Sequence, residues 1–556
     1  MIAVLSTLLM PSDALACGGF FCNRDPVNQA SEDIVFKVDK QTNTTTMHVQ
    51  IAYQGSAEEF AWIVPVGAVP ELRLSTDTMF EELKRRTAPT FNLEAIAVGD
   101  CELHPYNYYY DYAFSPTPPV ADSGSSAESG VAVIAEKTVG PFETVVLQAQ
   151  TATALLDWLQ ANQFDLPDEL NSVLKPYVAS DSYFVALRLG KNNDVGSLQP
   201  LAMTYPGTAM SVPIRLTAIA ANDDMRMQAY LLGDSRAVPE SYLHVVVNDL
   251  VVDWFNFGFN YPAAITAAAD EAGGQAFATD FSGDAAIMDE SLFREDQFDT
   301  GTLAYAADPA SFFDQLESQG FRGSSLLLEL FRTFVPMPQE LVDQGLDETN
   351  FYNCLRCYEE YIVGMPFDAP AFAQAIEERI VQPLAEAQAM FDDTKHLTRL
   401  TSSVSPVEMT VDPTFVFNRD MTQNVSRERE AELEYYCEDG LETSELQRRL
   451  VLADGRAYRL PPQSWFWENN TTEYEYLSGL MDDFALIVEE TSAEGQPNPI
   501  YNGSKRAFDA ANAHNAGFDD LLNAAACGGC SSTGPLSASF GVAGLAGLVL
   551  LRRLRS

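Results

Sequence analysis

Ile34-Val-Phe-Lys-Val38 and the neighbouring segment Thr44 to Tyr53 indicate the fold class most directly. The second segment alternates apolar and polar side chains, and its apolar positions are Met47, Val49, Ile51 and Tyr53. This two-residue period is typical of a strand with one buried face, and the polar residues 39–43 between the segments suit a turn. The pattern predicts an antiparallel hairpin. His48 lies on its other face with Gln50, so we expect it to be solvated rather than catalytic.

Further strands and helices are expected after the hairpin. Apolar or alternating runs predict strands at residues 61–66, 131–134, 144–147, 183–189, 213–221, 225–232 and 243–247. Apolar residues spaced three and four apart predict helices at residues 76–87, 151–162 and 168–178. Residues 17–250 are therefore predicted to form a strand-rich, antiparallel domain with helical inserts. Residues 115–130 are rich in Pro, Gly, Ser and Asp and are expected to form a mobile linker.

The rest of the body divides into a helix-rich region, residues 251–400, and a mixed region, residues 401–522. Helices are predicted at residues 263–272, 324–334 and 369–391, with Pro383 interrupting the last one. The mixed region is expected to contain strands within residues 397–417, a charged helix at 428–436 and a hairpin over 451–460. Residues 469–526 are polar, and their last part is interpreted as a stalk. The predicted fold class is α+β, with a strand-rich N-terminal region and a more helical middle region.

Two segments are unusually aromatic. Trp254-Phe-Asn-Phe-Gly-Phe-Asn-Tyr261 is interpreted as core or inter-domain packing. A second cluster consists of Tyr106, Tyr108, Tyr109, Tyr110 and Tyr112. Tyrosines can form a sugar-binding or partner-binding surface, but no Trp, Arg or Asn constellation accompanies these. We therefore favour a loop that packs on the body.

The N-terminus has the features of an export signal. Ile2 to Met10 is apolar, and Ala14-Leu15-Ala16 places small residues where a signal peptidase cleaves. Residues 1–16 are therefore predicted to be a signal peptide, although no Lys or Arg precedes the apolar run. Acylation of Cys17, as in a lipoprotein, is the second interpretation.

The C-terminus has the features of a membrane anchor. A stalk with a Cys/Gly motif, residues 523–535, precedes a predicted transmembrane helix with an Arg cluster, residues 536–556. The residues of the motif and the cluster are Cys527, Gly528, Gly529, Cys530, Arg552, Arg553 and Arg555. This three-part tail resembles bacterial sorting signals of the myxobacterial (MYXO-CTERM) type. The resemblance implies a membrane-anchored or surface-displayed protein, and a processing protease that cleaves near Cys530.

Six cysteines remain in the body: Cys17, Cys22, Cys101, Cys354, Cys357 and Cys437. An even number in an exported chain predicts disulfides, and the sequence does not choose among the pairings. Two alternatives stay open. Cys101 and His104 could bind zinc together with Cys354 and Cys357, or the Cys354-Leu-Arg-Cys357 pair could be redox-active.

The chain is strongly acidic, with a formal net charge of −46. Such a body repels nucleic acid and anionic surfaces, so nucleic-acid binding is not expected. Cations are its plausible diffuse partners, and weak Ca²⁺ binding cannot be assigned to residues because no Asp-x-Asp-x-Asp-Gly loop is present. No nucleophile elbow, zinc-protease helix, Walker loop or dinucleotide fingerprint occurs either. The sequence therefore names no catalytic residue, cofactor or metal ligand.

Several motifs in the first half resemble one family. They are Cys17-Gly-Gly-Phe-Phe-Cys22, Ala61-Trp-Ile-Val-Pro-Val66, Val139-Gly-Pro141, Leu155-Leu-Asp-Trp-Leu159, Pro213-Ile-Arg-Leu216 and Leu232-Gly233-Asp234. Together they resemble the uncharacterised bacterial family known as domain of unknown function 2330, over roughly the first 250 residues. The resemblance implies an exported location and a coherent fold, and it brings no activity or catalytic residue.

These observations favour an exported, acidic cell-envelope protein of unknown molecular activity. We expect a structural or binding component, displayed at the surface, anchored by its C-terminal helix and meeting an envelope partner that the sequence does not identify. The alternative is an envelope enzyme, either a hydrolase or a thiol-disulfide oxidoreductase that uses Cys354 and Cys357.

Overall fold

The computed structural model describes residues 20–21, 28–54, 61–103, 132–162, 170–179, 182–189, 199–219, 221–294, 296–321, 323–480 and 483–526. Four predicted features lie outside these residues: the signal peptide, the tyrosine cluster, the linker at 115–130 and the C-terminal anchor at 536–556. Among the residues described, no helix is both long enough and apolar enough to span a membrane.

The strands of the first half are β1 (Phe20–Phe21), β2 (Asn28–Asp39), β3 (Thr44–Gln54), β4 (Ala61–Val66), β5 (Glu71–Leu74), β6 (Thr90–Val98), β7 (Ala132–Val139), β8 (Phe142–Gln148), β9 (Tyr183–Leu189), β10 (Leu201–Pro206), β11 (Met210–Ser211), β12 (Ala221–Gly233), β13 (Ala237–Pro239) and β14 (Leu243–Val247). Those of the second half are β15 (Ala276–Asp284), β16 (His396–Val404), β17 (Thr414–Phe417), β18 (Glu428–Tyr436), β19 (Gln447–Leu452), β20 (Ala457–Leu460), β21 (Ala485–Glu490) and β22 (Asn498–Asn502).

The helices are α1 (Asp77–Thr87), α2 (Ala152–Ala161), α3 (Leu170–Ala179), α4 (Ile214–Thr217), α5 (Tyr261–Glu271), α6 (Thr300–Leu303), α7 (Pro309–Ser318), α8 (Ser325–Phe334), α9 (Gln339–Asp343), α10 (Glu348–Asn353), α11 (Glu359–Ile362), α12 (Ala369–Ile376), α13 (Gln382–Asp392), α14 (Gln463–Asn469), α15 (Glu473–Ser478) and α16 (Ser504–Ala526). The fold is α+β, strand-rich in the N-terminal half and more helical afterwards.

A ten-stranded sheet forms the centre of the fold, in the order β22-β21-β14-β15-β16-β12-β2-β3-β10-β5. The predicted hairpin is confirmed as the antiparallel pair β2–β3, in which Ile34 faces Val49. The sheet is mixed rather than antiparallel throughout, because β12 pairs with β2, and β14 with β15, in parallel. It also joins strands from all three predicted segments of the body: β14 from residues 17–250, β15 from 251–400 and β21 from 401–522.

Three smaller sheets complete the strand-rich part, in the orders β1-β4-β9-β8-β7, β11-β17-β13 and β20-β19-β18-β6. Helices α2 and α3 cover the five-stranded sheet, with Leu155, Leu159 and Leu174 packed against Phe184 of β9. These leucines recur at helical spacing, so one face of each helix is buried and the other is left to solvent.

Helices α6 to α13 form a helical region, residues 300–392, in which α6 to α12 share a core of their own and α13 packs on the central sheet. Phe372 stacks on Phe312 and Phe334 at centroid distances of 4.4 and 4.7 Å. The predicted long helix at 369–391 is divided into α12, a π-helical turn (Glu377–Val381) and α13, whose first turn contains Pro383. Proline lacks the amide hydrogen that an uninterrupted helix would need at this point.

The charged helix predicted at residues 428–436 is wrong. These residues form β18, which pairs with β6 and β19. Ala431, Leu433 and Tyr435 are buried, so the segment has the two-residue period of a strand. Its high charge content concealed this alternation.

Two further predictions are corrected. Residues 213–221 were expected to form a strand, but Pro213 precedes the short helix α4, in which the Ala218 amide bonds to the Ile214 carbonyl at 3.0 Å. The polar stretch 469–526 is structured, not a loose stalk: it contains α15, β21, β22 and the 23-residue helix α16.

Candidate functional site

A buried chain of hydrogen bonds links a hydroxyl, an imidazole and a carboxylate at the side of the central sheet. His244 on β14 places Nδ1 2.9 Å from Glu489 Oε1 on β21 and Nε2 2.9 Å from Thr279 Oγ1 on β15. Arg236 then donates from Nη2 to the same Thr279 oxygen at 3.0 Å. Adjacent strands bring these residues together, although 245 positions separate His244 from Glu489.

The partners determine where the protons lie. Burial lowers the pKa of His244, and the hydrogen bond to Glu489 opposes this shift only in part, so the ring is neutral. A carboxylate only accepts, so Nδ1 donates to Glu489 and Nε2 accepts from the Thr279 hydroxyl. The Thr279 oxygen in turn accepts from Arg236. We call Arg236, Thr279, His244 and Glu489 the hydroxyl–imidazole relay.

A second histidine belongs to another buried hydrogen-bond group, between β15 and β16. Ser282 Oγ lies 2.8 Å from His396 Nε2 and 3.2 Å from Thr398 Oγ1. Burial lowers the pKa of His396 as well. Arg236 Nε is buried and has no hydrogen-bond partner within the described part of the chain. Strands β14, β15, β16 and β21, which lie inside the ten-stranded sheet, therefore carry a set of buried polar groups.

This geometry is what an activated hydroxyl requires, since a carboxylate orients an imidazole that can accept the hydroxyl proton. The relay is not accessible to a substrate, because Thr279 is 7% exposed and Glu489 is 9% exposed. In its buried state the relay connects β14, β15 and β21 and satisfies the hydrogen bonds of buried polar atoms. Both ring nitrogens of His244 have hydrogen-bond partners, as in a structural histidine. Thr279, Glu489 and Arg236 were missed, because no spacing in the sequence relates them.

A second polar cluster lies on the helix-covered face of the sheet, around Asp280. Its carboxylate accepts from Thr401 Oγ1 at 2.5 Å and Tyr261 Oη at 3.0 Å, and it forms an ion pair with Arg399 Nε at 3.2 Å. A bulge between Thr279 and Phe281 interrupts the pairing of β15 with β16. Successive side chains of a strand point to opposite faces, so Thr279 and Asp280 serve clusters on opposite faces of the sheet.

The expectation that His48 is solvated is wrong. Its ring is 7% exposed, and Nδ1 lies 2.8 Å from Ser75 Oγ. Burial lowers the pKa of His48 to about 4. The polar face of the predicted hairpin is covered by the segment that leads into α1, which the alternation of β3 could not show.

Cys101 and Cys437 form a disulfide between residues 336 positions apart. Cys101 follows β6, Cys437 follows β18, and these strands run parallel with Val98 beside Tyr436. Parallel strands end on the same side of a sheet, so the two cysteines meet there. The helix that the sequence predicts at residues 428–436 gives no reason for the two cysteines to meet.

Cys354 and Cys357 form a second disulfide within a tight turn after α10. Cys357 is exposed, and no strand precedes the pair, so the strand–helix context of thioredoxin-like motifs is missing. Arg356 between the cysteines is neutralised by Asp314 at 2.6 Å and Glu317 at 2.9 Å. Nearby lies an open cleft of about 460 Å³, lined by Pro338, Gln339, Glu340, Glu360 and Tyr361.

The other predicted site residues are outside the described residues: Cys17, Cys22, His104, Cys527, Gly528, Gly529, Cys530, Arg552, Arg553 and Arg555. Cys101 is bonded to Cys437 rather than gathered with Cys354 and Cys357, which argues against a shared zinc site. The ranges that the structure covers hold no group of three or more His, Cys, Asp or Glu side chains suited to a metal ion.

Comparison with known proteins gives one result. The model of a family described as "Uncharacterized protein conserved in bacteria (DUF2330)" matches residues 11–301, slightly more than half of the 556 residues. The match includes Arg236, His244 and Thr279, and it ends before Cys354 and Glu489. Comparisons with curated proteins and with solved structures found no match. The resemblance seen in the sequence is thereby confirmed, and the chain belongs to the DUF2330 family of uncharacterised bacterial proteins.

Proposed function

We propose that this chain is an exported, acidic cell-envelope protein that acts as a structural or binding component. It is displayed at the surface and held by its C-terminal helix. The leader-like residues 1–16 and the anchor-like residues 536–556 motivate the location. The proposal names no catalytic residue.

One structural observation carries the proposal. The disulfide between Cys101 and Cys437 joins the segments that follow two paired strands, so it crosslinks the folded body itself. Such bonds form and persist in oxidising compartments and are rare in reducing ones. A body that depends on this bond is suited to the envelope.

Cell fractionation combined with thiol counting tests the proposal. The full chain should be found in the envelope fraction, and alkylation under denaturing conditions without reductant should leave Cys101, Cys354, Cys357 and Cys437 unmodified. A full chain in the cytosol with these four cysteines alkylated would contradict it.

A second candidate function is thiol-disulfide exchange at Cys354 and Cys357, favoured by the exposure of Cys357 beside an open cleft. A substrate thiolate would attack Cys357 Sγ, and Cys354 would leave as the thiolate. A second substrate thiol would then release the substrate as a disulfide and leave two protein thiols. This candidate ranks second because Glu359 and Glu360 disfavour a thiolate beside them.

Trapping tests this candidate. In the variant Cys354→Ser, Cys357 is a free thiol without a resolving partner, so its thiolate should attack a peptide whose cysteine is disulfide-bonded to a small thiol. The small thiol leaves, and Cys357 retains the peptide as a mixed disulfide, detected by mass. Cys101 and Cys437 serve as the control pair in the same protein. If the peptide reacts no faster with Cys357 than with free cysteine, the exchange function is excluded.

A hydrolase is supported by one observation, the hydroxyl–imidazole relay, and it requires access to Thr279. A fluorophosphonate probe that labels Thr279, and fails to label a His244→Gln variant, would support hydrolysis. Absence of labelling would leave the relay with its structural role.

A further inference from the structure

An aromatic tip, residues 254–260, lies at the surface between β14 and α5. Trp254 at its base is buried and packs edge-on against Phe91 with centroids 5.4 Å apart. Phe257 and Phe259 are 75% and 78% exposed. The sequence interpretation of this segment as core packing holds for Trp254 and fails for these two phenylalanines. Large apolar side chains that stay this exposed mark interaction sites when they occur together.

The backbone holds the tip rigidly. Phe257 has a φ of +52° and Gly258 a φ of +71°. The left-handed region is unfavourable for a bulky residue such as Phe257, and such strain is found where surrounding structure enforces it, often at binding sites. A Cβ on Gly258 would lie 2.1 Å from the Phe91 ring, so glycine is required there.

Hydrogen bonds between residues at the two ends of the tip hold its backbone together. Asn260 accepts from the Asp253 amide and donates to the Val251 carbonyl, both at 2.7 Å, and the Gly258 amide donates to the Asp253 carbonyl at 2.8 Å. With the backbone held in this way, the tip leaves the side chains of Phe257 and Phe259 little opportunity to pack against the body. They are presented to the outside on a preorganised loop, which lowers the entropic cost of binding.

The tip is also free of charge. From Trp254 to Ala269 the sequence contains no Asp, Glu, Lys, Arg or His, whereas 20% of the whole chain is charged. Protein–protein interfaces generally have a polar rim, with charged groups around an apolar centre. A bilayer interface penalises charge and accepts aromatic rings. The composition of the tip fits a lipid surface better than a protein partner.

The exposed apolar area of the tip also fits a lipid surface better than a protein partner. A phenylalanine buries roughly 150–250 Å² when covered, so two rings that are three-quarters exposed offer roughly 300 Å². A stable protein interface needs about 800 Å² per partner. The tip is too small to hold a second copy, and the strong negative charge of the chain opposes that contact further. A chain already tethered to a bilayer needs much less area, because tethering raises the local concentration.

We propose that the aromatic tip inserts Phe257 and Phe259 into the interface of a lipid bilayer and so fixes the orientation of the anchored body. This rests on the proposed membrane anchoring and extends it. The tip has no cations to attract anionic headgroups, and the body is acidic, so a zwitterionic surface is the expected partner.

Quenching by brominated lipid tests the proposal in the full chain reconstituted into phosphatidylcholine vesicles. Phe257→Trp and Phe259→Trp each add a tryptophan at the tip, and Tyr305→Trp is the matched control because Tyr305 is 90% exposed in the helical region. The signal of the five native tryptophans is measured in the unmodified protein and subtracted. The Phe259 variant covers the case in which the strained position 257 does not tolerate the substitution.

We expect brominated phosphatidylcholine to reduce the added fluorescence about twofold or more at the tip and to leave the control unchanged. Including phosphatidylglycerol should weaken the quenching at the tip. Equal quenching at the tip and at the Tyr305→Trp control overturns the proposal. The proposal is also overturned if the chain floats with the vesicles but the tip shows no quenching. Either result leaves the proposed anchor intact. A chain that does not float overturns the anchor, and with it the tip's role.

Discussion

The central sheet and the helical region differ in how far apart their contacting residues lie in the chain. In the sheet, β12 lies between β2 and β16, strands that begin at residues 28 and 396. In the helical region, α6 to α12 pack on one another around their own core. The two disulfides repeat the contrast, with sequence separations of 336 for Cys101–Cys437 and 3 for Cys354–Cys357. Long-range contacts cost more chain entropy, so crosslinks in the two regions should differ in their effect on stability.

Removing the long-range disulfide should have the largest effect. Replacing Cys101 and Cys437 with Ala restores to the unfolded chain the freedom that a crosslink over 336 positions removes, about 6 kcal/mol in the chain-entropy treatment. Denaturant unfolding monitored by fluorescence measures this loss. An unchanged midpoint would show that the unfolded chain is not constrained by this bond.

The helical region should depend instead on one buried ion pair. Arg379 binds both oxygens of Glu329, at 2.9 and 3.2 Å, and donates from Nε to Gln199 outside the region at 2.9 Å. Arg379→Met leaves the Glu329 carboxylate buried without its partner, so we expect a loss of about 3–4 kcal/mol. Hydrogen exchange should increase within residues 300–392 more than in the central sheet.

A double variant provides the matched control. Combining Arg379→Met with Glu329→Gln removes the buried charge as well and should recover part of the loss. If the single variant raised exchange equally in the sheet and in the helical region, the two would not be separate cooperative units.

Acid should destabilise the sheet through His48. Burial lowers the pKa of His48 from 6.5 to about 4, so the folded state favours the neutral ring. The stabilisation is complete above pH 6.5 and is lost as the pH falls towards 4, amounting to as much as about 3 kcal/mol. Unfolding measured across this range in the wild type and in His48→Gln isolates the contribution. The variant should have a flatter profile, and identical slopes would contradict the assignment.

The smallest effect is expected from the local disulfide. Replacing Cys354 and Cys357 with Ala opens a ring of only four residues, so the loss of stability should not exceed about 2 kcal/mol. The same denaturant assay used for the long-range pair measures it. A loss as large as that of Cys101 and Cys437 would remove the contrast between the two regions.

Local patterns predicted much of the secondary structure. The β2–β3 hairpin, α1, α2, α5, α8 and the hairpin β19–β20 were foreseen from periodicity and turn residues. The wrong predictions share a cause: contacts with another segment of the chain decided the structure. In Glu428–Tyr436 the charges suggested a helix, but pairing with β6 and β19 made it a strand. His48 was assigned to solvent because the segment that covers it lies beyond the strand that carries it.

The candidate sites were less accessible to sequence reasoning. Cys354 and Cys357 are three positions apart, so the sequence offered them as a redox pair, but it did not choose their disulfide among the possible pairings. The hydroxyl–imidazole relay joins Thr279, His244 and Glu489 from three strands, and no motif connects them. The exposure of Phe257 and Phe259 was also hidden, because an aromatic run has the same composition in a core and on a surface.

The amino-acid sequence by itself determined the α+β class, the family membership, the strong negative charge and the position of helices such as α1, α2, α5 and α8, since these depend on composition and on contacts a few residues apart. The tertiary structure alone decided which strands are neighbours, that Cys101 meets Cys437, that His48 and His244 are buried and that Phe257 and Phe259 are not. The physical reason is that strand pairing and burial are set by free energies summed over residues hundreds of positions apart, and no local period records them.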